Sequence, residues 1–167
     1  PFELSGTATD ANGDVLTYAW DEVDAGPPSP LGSPSGTAPL FRFRPPSLSP
    51  LRVFPKLETI LSNSTDISEV LPSYARRISF KYVVRDNNPA GALYNSSDFY
   101  FNVSSSSGPF YVIRPNTALH WYAGDTVSVE WNPAGTASSP VNCTRVNILL
   151  STDGGNSFGY LLEMGIV

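Results

Sequence analysis

Residues 76–86 read "RRISFKYVVRD". Ile78, Phe80, Tyr82 and Val84 fall on one side of that run, and Ser79, Lys81 and Arg85 on the other. An apolar residue at every second position is the period of a strand with one buried face, and it does not fit a helix. The same alternation returns along the chain in short runs bounded by Gly, Pro, Asn, Asp or Ser. A chain punctuated in this way is confined to an all-β fold.

"FELSGTAT" (2–9) puts Phe2, Leu4, Gly6 and Ala8 on one face and Glu3, Ser5, Thr7 and Thr9 on the other. "DANGD" (10–14) follows as a turn, and its Asn12-Gly13 pair suits a tight hairpin. "VLTYAWDEV" then turns Leu16, Tyr18 and Trp20 inward. Residues 25–39 hold five prolines and no periodicity, the signature of a loop. "LFRFR" (40–44) sets Phe41 and Phe43 against Arg42 and Arg44. "LRVFP" (51–55) is a short strand ended by its proline. "KLETILSN" (56–63) predicts about two helical turns with Leu57, Ile60 and Leu61 on one side. After the strand at 76–86, "NNPAGALYNSS" reads as a loop, and "DFYFNV" (98–103) sends Phe99, Phe101 and Val103 inward.

"SSSSGP" (104–109) is a polar linker and marks the domain boundary, with one domain at 1–106 and a second at 109–167. The second begins with "FYVIRP". It continues with Val127, Val129 and Trp131 alternating in "TVSVEW", and with Val146, Ile148 and Leu150 buried in "RVNILLS". Asp153-Gly154-Gly155 turns the chain into "FGYLLEM", closing a hairpin. About six strands in the first domain and four in the second predict tandem immunoglobulin-like β-sandwiches. A sandwich module takes about 100 residues and seven strands. Both domains are therefore expected to be incomplete within this chain, the first lacking its first strand and the second its C-terminal strands.

Composition narrows the function classes. The net charge is −5, and eight Arg and two Lys are scattered, so no cationic face for nucleic acid is expected. No run of about 18 apolar residues provides a membrane-spanning helix. The chain starts at Pro1 without Met, which is compatible with a removed signal peptide. Cys143 is the single cysteine, which leaves no internal disulfide and is expected to act as a small buried hydrophobe.

Catalytic motifs are missing. The only histidine, His120, reads as a loop residue beside Trp121. No nucleophile elbow, zinc-protease helix, phosphate loop or dinucleotide fingerprint is present. "DANGD" offers one metal reading. Asp10, Asn12 and Asp14 supply oxygen ligands at alternating positions around a glycine, with Asp86 and Asn87 as further candidates, a donor set that suits calcium. The same residues serve a plain turn. Asn63, Asn95, Asn102 and Asn142 begin acceptor sequons for N-linked glycans. Asn63 and Asn95 fall in expected loops, and Asn102 on the outward face of its strand.

The opening nineteen-residue stretch "FELSGTATDANGDVLTYAW" resembles the start of polycystic-kidney-disease-type and related immunoglobulin-like repeats of microbial secreted proteins. "PLFRFRPPSLSPLRVFPKLETIL", "LPSYARRISFKYVVRDN" and "GPFYVIRPN" look like segments that follow the catalytic domain of secreted reprolysin-like metallopeptidases and related surface proteins. "WYAGDTVSVEWNPAGT" with "VNILLSTDGGNSF" resembles a fibronectin-type-III-like module. The catalytic zinc motif of those peptidases is absent, so the resemblance implies an accessory or structural region. The expected function is a non-enzymatic extracellular structural module. In its sharper form the chain is a filament subunit, in which open sheet edges pair with other copies or with adjacent domains of the same protein. The alternative is the accessory or stalk region of a secreted metallopeptidase or adhesin, binding glycans through exposed aromatics such as Tyr100, Trp121 and Tyr122.

Overall fold

The alternating runs become nine strands and one short helix in the computed structural model, which describes all 167 residues. The fold is all-β, built from several antiparallel sheets. The chain divides into two units, Pro1–Val103 and Ser104–Val167.

Unit 1 holds β1 (Phe2–Ser5), β2 (Thr17–Glu22), β3 (Leu51–Phe54), α1 (Leu57–Leu61), β4 (Arg76–Arg85) and β5 (Tyr94–Val103). One sheet pairs β1 with β3, and the other runs β2-β4-β5. The β4–β5 ladder is unbroken from Arg76↔Val103 to Arg85↔Tyr94. Leu4 and Phe54 from the first sheet meet Trp20, Ile78, Phe80 and Tyr82 from the second in one core, joined by Leu40 and Phe41. Phe54 and Phe80 are fully buried, with ring centroids 5.1 Å apart. Burying each such ring is worth about 2–3 kcal/mol, and truncating Phe80 to Ala costs about 3–5 kcal/mol once the cavity is included.

Several expectations are corrected. The strand expected over 2–9 ends at Ser5, where its ladder with β3 stops at Leu51, and only the Gly6 N–H continues the pairing, to the Pro50 carbonyl at 3.2 Å. "DANGD" does not close a hairpin: β1 pairs with β3 and β2 with β4, so the turn carries the chain between sheets. Phe41 and Phe43 do not share a face. Phe41 is 2% exposed and Phe43 70%, since only an isolated bridge from Phe41 to Glu69 forms there. In α1 the buried residue is Thr59, and Leu61 is exposed, because the helix is too short to present an apolar stripe. Tyr94–Ser97 belong to β5 rather than to a loop.

Two buried ion networks tie the irregular segments of unit 1 together. Glu69 accepts from Arg44 Nε at 3.0 Å, from Arg52 at 2.9 Å and from the Lys56 backbone N–H at 2.6 Å. Glu22 receives the backbone N–H groups of Leu40 and Phe41, both at 2.7 Å, with the Arg76 guanidinium 3.5 Å away. Glu69 is satisfied in this way, whereas Glu22 Oε1 has the Arg76 charge nearby but no hydrogen bond.

Unit 2 holds β6 (Tyr111–Arg114), β7 (Glu130–Asn132), β8 (Val146–Leu150) and β9 (Tyr160–Ile166), in two separate ladders, β6-β7 and β8-β9. The expected closing hairpin is β8–β9. Its turn is organised by Asp153, whose carboxylate accepts from the Ser157 backbone N–H and from the Ser157 and Ser151 hydroxyls. Those bonds hold its pKa at about 2. Burial in this unit departs from expectation. Leu150 is 39% exposed, Cys143 is exposed, and Gly155 is the one buried residue of Ser104–Val167. Two-stranded ladders supply too little second surface to cover their own apolar side chains.

Candidate functional site

An acidic cluster of unit 1 lies where the turn after Thr9 meets the segment after β4. Asp10, Asp14 and Asp86 each place one carboxylate oxygen so that all lie within 4.8 Å of one another. Local hydrogen bonds fix the three side chains. Asp10 Oδ1 accepts the backbone N–H groups of Asn12 and Asp14, both at 3.0 Å. Asp14 Oδ2 accepts the side-chain amides of Asn12 and Asn88, both at 2.8 Å. Asp86 Oδ1 accepts the backbone N–H groups of Leu93 at 2.8 Å and Asn88 at 3.3 Å. The ion pairs of unit 1 form elsewhere, so no Lys or Arg neutralises this cluster.

Hard oxygens at such spacing are the donor type that calcium or magnesium takes. The structure gathers three of the five residues expected to bind and turns two to other work. The Asn12 amide nitrogen is committed to Asp14. Asn87 faces away and donates to the carbonyls of Val15 (2.8 Å) and Arg85 (3.2 Å) and to Thr17 Oγ1 (3.1 Å). Its φ of 54° places it in the left-handed region that Asn tolerates. Asn88, which sequence reasoning passed over, is the residue that joins the two acidic segments.

Beside the cluster opens a cavity of about 500 Å³, walled by Thr7–Asp10, by Tyr94–Ser97 and by Tyr82, Val84 and Asp86. Tyr82 is 7% exposed, and its hydroxyl is buried without a hydrogen-bond partner. Burial, with the Tyr18 phenol nearby, pushes its pKa upward. A buried unpaired hydroxyl costs about 1–3 kcal/mol, so this floor is one of the unsatisfied spots of unit 1, with Asp21 Oδ1 and Glu22 Oε1. Alternation alone would have found Tyr82 as a core residue, but not that its hydroxyl lacks a partner.

The chain matches no family model, no curated protein and no solved structure.

The remaining candidates are dispersed. Asn63, Asn95, Asn102 and Asn142 are all exposed, as a glycan requires. Asn95 sits in β5 rather than in the expected loop. Tyr100, Trp121 and Tyr122 are 55%, 47% and 78% exposed. The Arg77 guanidinium lies 3.6 Å from the Tyr100 ring centroid, so one face of that ring is already covered. His120 lies outside regular structure and is exposed.

Proposed function

We infer that this chain is a non-enzymatic structural module of an extracellular assembly, in which the strand edges and apolar faces of one copy are completed by another. One observation carries the reading. Unit 2 has four strands but buries only Gly155, while Trp121, Leu161 and Met164 stand 47%, 53% and 73% exposed. Soluble proteins rarely leave contiguous apolar surface uncovered, and unpaired strand edges are templates for further strands. Strand addition joins the two needs: main-chain hydrogen bonds give affinity, and alternating side chains fill the groove. When the contact joins unlike surfaces it repeats from copy to copy, as a ring where the rotation closes and as a filament where it does not.

The sheet order of unit 1 supports an immunoglobulin-like sandwich. β2-β4-β5 corresponds to a sandwich's three-stranded sheet, and β1-β3 to the middle pair of the opposing four-stranded one. The four exposed acceptor asparagines support a secreted or surface location. The test is negative-stain electron microscopy of the full chain, with light scattering over a concentration series. Regular fibres or concentration-dependent oligomers are expected. A chain that stays monomeric and dispersed at every concentration contradicts the reading.

A further inference from the structure

The two-stranded sheet of unit 1 stops short of covering β5. Phe2 meets Phe101 edge-on with ring centroids 5.0 Å apart, so β1 is the strand of its sheet that lies toward β5. The side of β1 away from β3 has no strand partner. Thr7, Ala8 and Thr9 continue that line without a backbone-to-backbone hydrogen bond. Opposite them, the core-facing side of β5 is bare. Phe99 is 42% exposed although it faces Trp20, and Ser97 and Asn95 are exposed. A cavity of about 500 Å³ occupies the end of this gap between Thr7–Asp10 and Tyr94–Ser97, with the unpartnered Tyr82 hydroxyl at its floor.

An extended backbone laid at that end of the gap meets the groups that line it. Its N–H and C=O groups pair with the free edge of Thr7–Thr9, its inward side chains lie against Asn95 and Ser97, and one of its polar groups reaches the Tyr82 hydroxyl. The gap also has a charged end. Asp10, Asp14 and Asp86 gather there with no Lys or Arg paired to them.

We propose that this gap is the acceptor for β6 of a second copy, aligned so that its Arg114 meets the Asp10–Asp14–Asp86 end. The proposal rests on the assembly reading above and names its contact. β6 matches β1 in length, four residues each. Its own pairing with β7 covers three residue pairs and is interrupted by a bulge after Val112, and its other edge is free. Tyr111, Val112 and Ile113 are 49%, 41% and 49% exposed, an apolar strand without a cover. Arg114 is the only Lys or Arg that lies in a strand of unit 2. Its contact with Glu130, at 4.0 Å and exposed on both sides, is a weak competitor. The contact joins unit 1 of one copy to unit 2 of the next, so it is heterologous and can be repeated from copy to copy.

The test uses the full chain with Cys143→Ser as background. One preparation carries Thr9→Cys and another Ile113→Cys, and the two are mixed, oxidised and analysed by mass spectrometry for a disulfide joining unlike copies. In parallel, Arg114→Glu is compared with the parent for self-association by light scattering. Thr9→Lys is then added to return opposite charges to the contact. A mixed disulfide is expected, with self-association about tenfold or more weaker in Arg114→Glu and largely recovered in the double variant. Arg114 and Thr9 are exposed, and circular dichroism checks that each variant keeps its fold. Assembly that proceeds unchanged in Arg114→Glu and yields no mixed disulfide overturns this contact and leaves the assembly reading standing. A parent chain that never self-associates removes both.

Discussion

Gly6 lies flat against the ring of Tyr82. A methyl group on Gly6 would meet Cζ of that ring, with Cε1 and Cε2 at 2.6 and 2.8 Å. The ring is flanked by Trp20, at a centroid distance of 4.6 Å, and Tyr18, at 6.0 Å, so it can move aside only by repacking both. Close approach, not backbone conformation, is what demands glycine here. Gly6→Ala is expected to destabilise unit 1 by about 1–3 kcal/mol, the usual cost of overpacking. Tyr82→Leu in the same chain should recover part of that loss. Urea unfolding of the two single variants and the double variant measures the coupling. Strictly additive effects would contradict the contact.

The buried Glu22 carboxyl sets a pH dependence. Burial raises the Glu22 carboxyl to about 7, helped by Asp24 and opposed by the N–H groups of Phe41 and Leu40. An unfolded glutamate titrates near 4.5, so the folded state holds this proton more tightly. The resulting stability is fully present below about pH 4.5 and is lost as pH rises through about 7. Unit 1 should therefore show a higher urea midpoint at pH 5 than at pH 8, and Glu22→Gln should flatten that slope. Asp66 acts in a separate window. The Ser68 hydroxyl and N–H, with Lys56, hold its carboxyl well below the usual range, so its contribution fails only in strong acid. Arg76→Met leaves Glu22 and Asp24 without their cation and is expected to cost about 3–5 kcal/mol.

Asn87 and Asn88 are neighbours with different tasks, and substitution separates them. Asn87 staples the Val15 and Thr17 segment to the end of β4, so Asn87→Ala should lower stability by about 1–2 kcal/mol through lost hydrogen bonds and an unfavourable φ. Asn88→Ala breaks the bond to Asp14 and removes an Asx turn to Ala90. It is expected to loosen the Asp10–Asp14 turn with less effect on global unfolding. Amide exchange at residues 10–14 set beside the unfolding midpoint distinguishes the two. Equal losses of global stability would show that Asn88 is as structural as its neighbour.

Legibility followed the physics of each element. In β4 the alternation places Ile78, Phe80 and Tyr82 in the core, while Val84 is only half-buried and Val83, on the opposite side, is buried. Phe43 and Leu61 misled because their apolar character was counted without knowing what would cover them, and the partner surface is not encoded locally. "DANGD" looked like a hairpin because turn chemistry is local, whereas the choice of β3 over β2 as the partner of β1 depends on residues some fifty positions away. The acidic cluster was half visible for the same reason. Asp10 and Asp14 are close in sequence, but which of Asn87 and Asn88 faces them depends on how the chain leaves β4.

The contrast between the units is itself testable. β4 is paired on both sides, by β2 and by β5, and its inward residues are buried to 7% exposure or less at Ile78, Phe80 and Tyr82. Its amides can exchange only through opening of the whole unit. β6, β7, β8 and β9 each have one partner and no buried side chain, so local opening exposes their amides at little cost. In dilute solution, exchange in unit 2 should run at least about a hundredfold faster than in β4, a gap of about 3 kcal/mol in opening free energy. At concentrations where the chain self-associates, protection should rise in β6 of unit 2 and along Thr7–Thr9 of unit 1 while β4 stays unchanged. Hydrogen-exchange mass spectrometry over a concentration series reads both effects. Strong protection throughout unit 2 in the dilute monomer would mean that its strands hold together without a partner, and would leave its exposed apolar faces without the role assigned to them.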